Sequence, residues 1–492
     1  MKYYLCLILL FCLGHRAMAI EPSTRPNECQ QRLIDRGYGM FIHFGINTFN
    51  GLEWSDGTTP PSVYNPTQLD CDQWIRVARD AGFRYVVLTA KHHDGFCLWD
   101  SALTDYDVAS SPVKNDVVGA VADACRKYGL QFALYYSLWD RHEPSYQSSD
   151  FADYIRYMEG QLTELMSNYG EVCELWFDGG WDKPADQWRL PELYSLVKKL
   201  QPQCAIGVNG NVTDHEGDEG GYCYILPDQM IEDNKYVTRY FPVDFRLWDP
   251  KIAHPKDKKQ YLYDGKSYYL PFEHTICLSK AWNWFQKSQP MPVRSQDELA
   301  ELFYRCTAND NTLLINVPPS PQGLIYSHEA DAIISLGQRL GIRQGESLPK
   351  APAALAVASA AATSVWDDNY DEYGPMRAVD GGMQTRWAST ETTPMLTIDF
   401  DSEKSISQIN IFEYCDSKQG ADGFSNERIN RIQRYAIDAL DHNGDWTTIY
   451  LGDEPMGDCK TISLSQPYTT NQVRLRVLQA SAPPSIYLFD MR

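Results

Sequence analysis

Four short segments concentrate the side chains able to do chemistry. "HFGINTFNGLEWSDG" carries His43, Glu53 and Trp54, and "KHHDGFCLW" carries His92, His93 and Asp94. Tyr135, Tyr136, Trp139 and Asp140 fall together in "YYSLWD", and "LWFDGG" holds Trp176 and Asp178. Each set follows an apolar run, so each sits where a buried strand gives way to a loop. Three readings fit these residue types. Two histidines and an aspartate could ligate a metal, but adjacent residues on a strand face opposite ways, and no H-E-x-x-H spacing is present. One histidine of the pair could be a structural residue, satisfied in a core. A carboxylate at a strand end, a second acid elsewhere, tryptophan faces and several histidines suit cleavage of a glycosidic bond by two carboxyl groups. Gly179 and Gly180 let the chain turn directly after Asp178 and leave its carboxylate accessible, although a turn-capping aspartate has the same local sequence.

The elements that must position these residues alternate. "FRYVVLTAKHHDG" (83–95) reads as a buried strand running into a polar loop, and "DVVGAVADACRKYG" (116–129) as a helix ending on glycine. Strand "LQFALYYSLWD" (130–140), helix 151–170, strand "VCELWFDGG" (172–180), helix 191–202 and strand "CAIGVNG" (204–210) follow. This order implies parallel strands joined by crossover helices, and continuous apolar runs imply strands buried on both faces. The stretch from about 30 to 342 suits an α/β fold of (β/α)8-barrel type, whose working residues gather at the C-terminal strand ends. From about residue 350 the texture changes. Short alternating segments at 395–401, 405–414, 431–441, 446–452, 460–465 and 472–480 predict an all-β sandwich.

The 492 residues include 44 Lys and Arg against 65 Asp and Glu, a net charge of −21. Such a chain makes a poor ligand for phosphate backbones, so nucleic acid and anionic membrane surfaces are not expected partners. Residues 1–19 read as a secretory signal peptide: Lys2, an apolar run from Leu5 to Leu13, and the ending Ala17-Met18-Ala19. Export to the periplasm or outside the cell follows as the expectation. No later stretch is long and apolar enough to insert in a membrane. The 13 cysteines are scattered with no C-x-x-C pair, which argues against a zinc ribbon. Most read as small buried apolar residues, and the sequence assigns no disulfide pairing and no oligomeric state.

Together the segments "GMFIHFGINTFNGLEWSDG", "VLTAKHHDGFCLWDS", "YYSLWDRHEP", "ELWFDGG" and "NTLLINVPPSPQGLI" resemble glycoside hydrolase family 29, the retaining α-L-fucosidases, over residues 35–342. The resemblance implies a barrel that needs no cofactor or active-site metal, and a fucosylated glycan as substrate. It implies Asp178 as nucleophile, and a fucose pocket of His43, Glu53, Trp54, His92, His93, Tyr136 and Trp176. Two glutamates compete for the acid/base role. "GNVTDHEGDEGG" resembles the α-1,3/1,4-selective subfamily and points to Glu219, the first choice; "YYLPFEHTICLSKAWNWF" resembles the broad-specificity subfamily and points to Glu273. Asp244, Glu216 and Glu232 are weaker alternatives, and Arg239 or Arg246 could reach the pocket. An α-L-galactosidase, or a catalytically silent sugar-binding protein on the same scaffold, are the other functions such a chain could serve.

The C-terminal region resembles the discoidin, or coagulation factor 5/8 type C, domain through "AVDGGMQTRWAST", "LTIDF", "VRLRV" and "PPSIYLFDMR". Members often hold a structural calcium, here expected near Asp380 and Thr385. Their usual C-terminal acid is replaced by Leu488, with Asp490 nearby. A structural role for this domain is favoured over sugar binding. The expected boundaries are 1–19 for the leader, 20–345 for the barrel and 346–492 for the sandwich.

Overall fold

The computed structural model describes residues 20–210, 223–225, 237–238, 240–247, 257–286, 290–382, 385–419 and 426–492. The leader segment 1–19 lies outside the described residues. Eight strands form a nearly closed parallel barrel: β1 (Tyr38–Ile42), β2 (Tyr85–Lys91), β3 (Gln131–Ser137), β4 (Glu174–Asp178), β5 (Ala205–Val208), β6 (Arg246–Leu247), β7 (Phe272–Cys277) and β8 (Thr312–Asn316). Their order is β5-β4-β3-β2-β1-β8-β7-β6, parallel at every pairing. The gap between β5 and β6 is stitched by Asp244. Its backbone N–H donates to the Ile206 carbonyl at 2.7 Å, and its Oδ2 accepts from the Ile206 N–H at 2.9 Å. Lys198 Nζ lies 2.8 Å from the same carboxylate.

Helices α1 (Glu28–Arg36), α2 (Cys71–Asp80), α3 (Val117–Tyr128), α4 (Ala152–Asn168), α5 (Leu190–Leu200), α6 (Gln296–Cys306) and α7 (Ser327–Leu340) complete the β/α alternation. Side-chain caps start several of them: Asn27, Asp70, Asp116 and Ser295 each accept a first-turn N–H. Alternation along each strand divides the apolar residues into two layers. Phe41, Val87, Tyr135, Trp176, Leu247 and Leu314 fill the barrel interior. Ile42, Leu88, Leu134, Phe177 and Ile315 face outward into the larger core. This parity decides which of two neighbouring residues can face a ligand.

The C-terminal domain is an antiparallel β-sandwich of discoidin type. Its main strands are β9 (Met395–Glu413), β10 (Ile432–Leu440), β11 (Trp446–Gly452), β12 (Cys459–Ala480) and β13 (Ser485–Met491). Two pairs of segments that read as separate strands are each continuous. Each runs on as one strand through 401–405 and 465–472, where register irregularities interrupt the pairing and absorb the bends. Phe412, Cys459 and Leu488 join the apolar cluster of the barrel, and the C-terminal Arg492 pairs with Glu301 of α6 at 2.8 Å.

Among the described residues, the polar groups of the turn expected to hold calcium are already committed to other partners. Asp380 Oδ1 already accepts from Gly382 N (2.7 Å) and Thr385 Oγ1 (2.9 Å), and Arg377 faces Oδ2 at 3.9 Å. The Gly381 carbonyl, a natural oxygen ligand, accepts from the guanidinium of Arg305. Asp490 is committed to Asn410 and Arg492. Two cationic side chains thus approach a site that would have to attract a dication. Ten cysteines have described side chains; all ten are free thiols, and eight are buried. Among the described residues no helix is long and apolar enough to cross a membrane.

Candidate active site

Strand β4 ends on Asp178, at the C-terminal rim where parallel barrels place their chemistry. Gly179 follows with φ +76°, and a Cβ there would lie 2.7 Å from Trp139 Cβ, so only glycine fits. The carboxylate is held from three directions. Oδ1 accepts from the Gly179 N–H (2.8 Å) and from Asn209 Nδ2 (3.0 Å), and Oδ2 accepts from the Tyr135 hydroxyl (2.7 Å). The residue is only 7% exposed, so these partners fix its orientation within a recess.

Three histidines surround it. His43, just after β1, has Nδ1 3.1 Å from Asn316 Oδ1 at the end of β8; burial pushes its ring down to about 3. His92 stacks on Tyr135 (5.6 Å, 9°) and meets Trp284 edge-on at 5.0 Å. Its buried Nδ1 has no hydrogen-bond partner among the described residues, leaving a polar atom for a ligand. His93 Nδ1 lies 2.6 Å from Ser137 Oγ, which donates onward to the Trp139 carbonyl at 2.6 Å. That direction assigns the proton to His93 Nδ1 and leaves Nε2 an acceptor, 3.6 Å from Asp178 Oδ2. Burial lowers the His93 ring to about 4, so it is neutral at neutral pH.

Both histidines of the pair therefore serve one rim, with ring centroids 4.2 Å apart, against the expectation from strand alternation. The reason is local: β2 ends at Lys91, after a register irregularity between Thr89 and Lys91. Among the described residues no group of three or more His, Cys, Asp or Glu could hold a metal ion.

Glu53 approaches the same recess. Burial and, more weakly, the Asp178 charge raise its carboxyl to about 7, against a hydrogen bond from Trp282 that lowers it. Trp282 also packs edge-on against His43 at 5.0 Å. Trp54 is 49% exposed and stands 5.9 Å from the His93 ring.

Three expectations are corrected. Tyr136 does not line the recess: its hydroxyl bonds Gln161 Oε1 at 2.7 Å, and Lys91 Nζ lies 3.1 Å from it, in the layer between barrel and helices. The inward residue is Tyr135. Trp176 is fully buried inside the barrel, beneath Asp178, with its indole N–H on Glu273 Oε1 at 2.9 Å. Glu273 itself begins β7, opposite Thr312 at the start of β8. It accepts from the Tyr85 hydroxyl at 2.6 Å and is raised to about 8 by burial and by Glu174, which pairs with Arg36. Glu174 precedes Asp178 by four strand residues, about 13 Å of rise. Glu273 thus belongs to the closed N-terminal end of the barrel, whereas a retaining pair requires carboxyls about 5–5.5 Å apart.

Glu219 lies outside the described residues, as do Glu216, Glu232 and Arg239. Asp244 is the seam residue described above. Arg246 is buried against Asp257, Tyr261 and the Leu270 carbonyl, away from the recess. Asn209, Asn316 and Trp282 are site residues that the sequence reading passed over. Asn209 directly follows β5 and Asn316 ends β8; their strand-end positions alone could have flagged them.

The recess combines a fixed carboxylate, a second carboxyl half-protonated near neutrality, neutral histidines and aromatic walls. That combination suits an uncharged polyhydroxylated ring with one apolar face. Comparisons with known proteins agree. The "Alpha-L-fucosidase" family model matches residues 58–345, and the model of a NedA-like, galactose-binding domain matches 377–475. Alpha-L-fucosidase 1 of Arabidopsis thaliana is 29% identical over 466 residues, spanning 91% of this chain and 83% of the relative. Human plasma alpha-L-fucosidase is 27% identical over 378 residues, 68% of this chain and 73% of the relative. A solved glycoside hydrolase 29 family member from an unknown rumen bacterium superposes with TM-score 0.53 at 25% identity, covering 96% of this chain and 78% of that one. Alpha-L-fucosidase isoenzyme 1 from Paenibacillus thiaminolyticus shares the fold with TM-score 0.55 at 23% identity, covering 92% and 99%.

Proposed function

The chain belongs to the α-L-fucosidase family, and from that premise we propose that it is an exported, retaining exo-α-L-fucosidase. It removes terminal L-fucose from α-1,3/1,4-fucosylated oligosaccharides or glycoconjugates through a covalent fucosyl-enzyme. The observation that carries the reading is the placement of Asp178: a buried carboxylate fixed by Tyr135, Asn209 and Gly179 among aromatic side chains at the barrel rim. The 1–19 segment supports export. The resemblance of the opening motif to the selective subfamily supports the linkage.

The chemistry runs in two displacements. A carboxylate oxygen of Asp178 attacks the anomeric carbon as the glycosidic C–O bond breaks, and a protonated glutamic acid gives its proton to the leaving oxygen. The same glutamate then takes a proton from water as that water attacks the anomeric carbon and releases Asp178, giving L-fucose with retained configuration. His93 Nε2, as an acceptor, and the free His92 Nδ1 bind sugar hydroxyls. Neutral rings do so without placing a cation beside the developing oxocarbenium charge.

Glu219 is proposed as the acid/base on its motif. A second reading gives the role to Glu53, favoured by its carboxyl being raised to about 7 beside Asp178. A series of aryl α-L-fucosides of rising leaving-group pKa separates them. Replacing the acid/base by Gln slows poor leaving groups far more than good ones. Replacing a binding residue slows all of them alike. A steep dependence in Glu219→Gln with a flat one in Glu53→Gln supports the first reading; the reverse supports the second. Failure of the wild-type protein to hydrolyse any α-L-fucoside overturns the function itself.

A further inference from the structure

We infer that Trp181, with the outer face of Trp54, forms a stacking platform for the leaving-group sugar. The inference rests on the fucosidase reading and extends it outward from the recess.

Exposure rises in steps along a path away from the proposed nucleophile. Tyr135 is fully buried, Asp178 is 7% exposed, and Trp181 and Trp54 are 41% and 49% exposed. Both tryptophans stand over His93, at 5.5 and 5.9 Å between ring centroids, and they lie 5.9 Å from each other with 34° between planes. Trp139 closes the group, 5.8 Å from Trp54 and 6.3 Å from Trp181. Among the described residues, these rings stand between the proposed nucleophile and solvent, where a group beyond the scissile bond can meet them.

Trp181 packs on Trp54, His93 and Trp139 yet leaves 41% of its surface in water, and it sits on a turn that is pinned on both sides. Asp182 accepts from the Tyr146 hydroxyl at 2.6 Å, and the Gly180 carbonyl accepts from Trp188 Nε1 at 2.8 Å. A Cβ at Gly180 would meet the Tyr240 hydroxyl at 2.6 Å, so the turn is packed to contact from beneath. The Trp54 loop is likewise tied down, because Arg141 Nη1 donates to the Trp54 and Ser55 carbonyls at 2.9 and 3.0 Å. Rigid aromatic faces presented to solvent recognise apolar C–H faces at little cost in side-chain entropy, which is how a pyranose is held.

The test compares wild type with Trp181→Ala and Trp181→Phe on a neutral fucosylated trisaccharide and on α-L-fucosyl fluoride. Fluoride leaves without any ring to stack, unlike an aryl group. The expected result is a ratio of kcat/KM, trisaccharide over fluoride, that falls roughly tenfold to thirtyfold in Trp181→Ala, the range of a lost aromatic anchor. Trp181→Phe should recover part of it. In parallel, binding of free N-acetyllactosamine in the presence of L-fucose is measured by calorimetry. It should be weakened in Trp181→Ala. An unchanged ratio together with equal N-acetyllactosamine binding by the two proteins overturns the inference. Wild-type turnover of fucosyl fluoride reports separately on the fucosidase reading, and the binding arm decides the platform even if that reading fails.

Discussion

The hydroxyl of Tyr135 donates to Asp178 Oδ2 at 2.7 Å across two adjacent barrel strands. Its neighbour Tyr136 points the other way, with its hydroxyl on Gln161. One step along β3 thus separates a residue of the recess from a residue of the outer core, and the two make opposite predictions.

Tyr135→Phe removes a hydrogen bond to a charged group in the recess. Its kcat/KM on fucosides should fall by roughly tenfold to hundredfold, with thermal stability close to wild type. Tyr136→Phe strips a partner from buried Lys91 and Gln161. It should lose about 1–3 kcal/mol of stability while each folded molecule keeps most of its activity. Denaturant titration and initial rates on both variants check the pair; the opposite pattern would return Tyr136 to the pocket.

Glu273 predicts a pH dependence of stability. Its carboxyl is raised to about 8 in the folded protein by burial and by Glu174, above its ordinary value of 4.5. The folded state therefore holds a proton that the unfolded state releases between those values. Stability from this group is fullest below pH 4.5 and declines as pH rises toward 8. Glu273→Gln cannot ionise; its amide oxygen accepts from the Trp176 N–H and its NH2 turns to the Tyr85 hydroxyl oxygen, so it should gain in melting temperature relative to wild type as pH is raised from 5 to 9. The same variant should retain nucleophilic turnover without azide rescue. A constant difference across that range would contradict the protonated placement.

The guanidinium of Arg305 on the Gly381 carbonyl, with Arg377 facing Asp380, predicts indifference to calcium. Adding millimolar calcium or a chelator should leave the melting temperature of the full chain unchanged within error. Calcium-dependent stabilisation, which mass action requires of any ligand that binds the native state alone, would show that the turn holds the ion.

Much of this was legible in the sequence because one signal carried it. Apolar runs ending in His, Trp and acids marked β1 to β4 and their rim, and Gly179 marked the turn after Asp178. The misses have physical causes. Period-two alternation tells that Tyr135 and Tyr136 part ways, but not which one faces inward; the register against β4 settles that. The same rule misled at His92 and His93, since the strand ends one residue earlier. Glu273 looked catalytic by motif, yet its place at the start of β7 rather than its end puts it at the wrong pole of the barrel. Asn209 reaches Asp178 from the neighbouring strand, while Asn316 and Trp282 come from elements distant in sequence, and the barrel brings them to His43.

The most direct test of the central claim is to trap the intermediate. The protein would be incubated with 2-deoxy-2-fluoro-α-L-fucosyl fluoride, whose fluorine slows turnover of a fucosyl-enzyme, and examined by intact and peptide mass spectrometry. The account predicts one added fluorofucosyl group, carried by Asp178 and absent from Asp178→Ala. An adduct on any other carboxylate, or steady hydrolysis with inversion and no adduct, would contradict it.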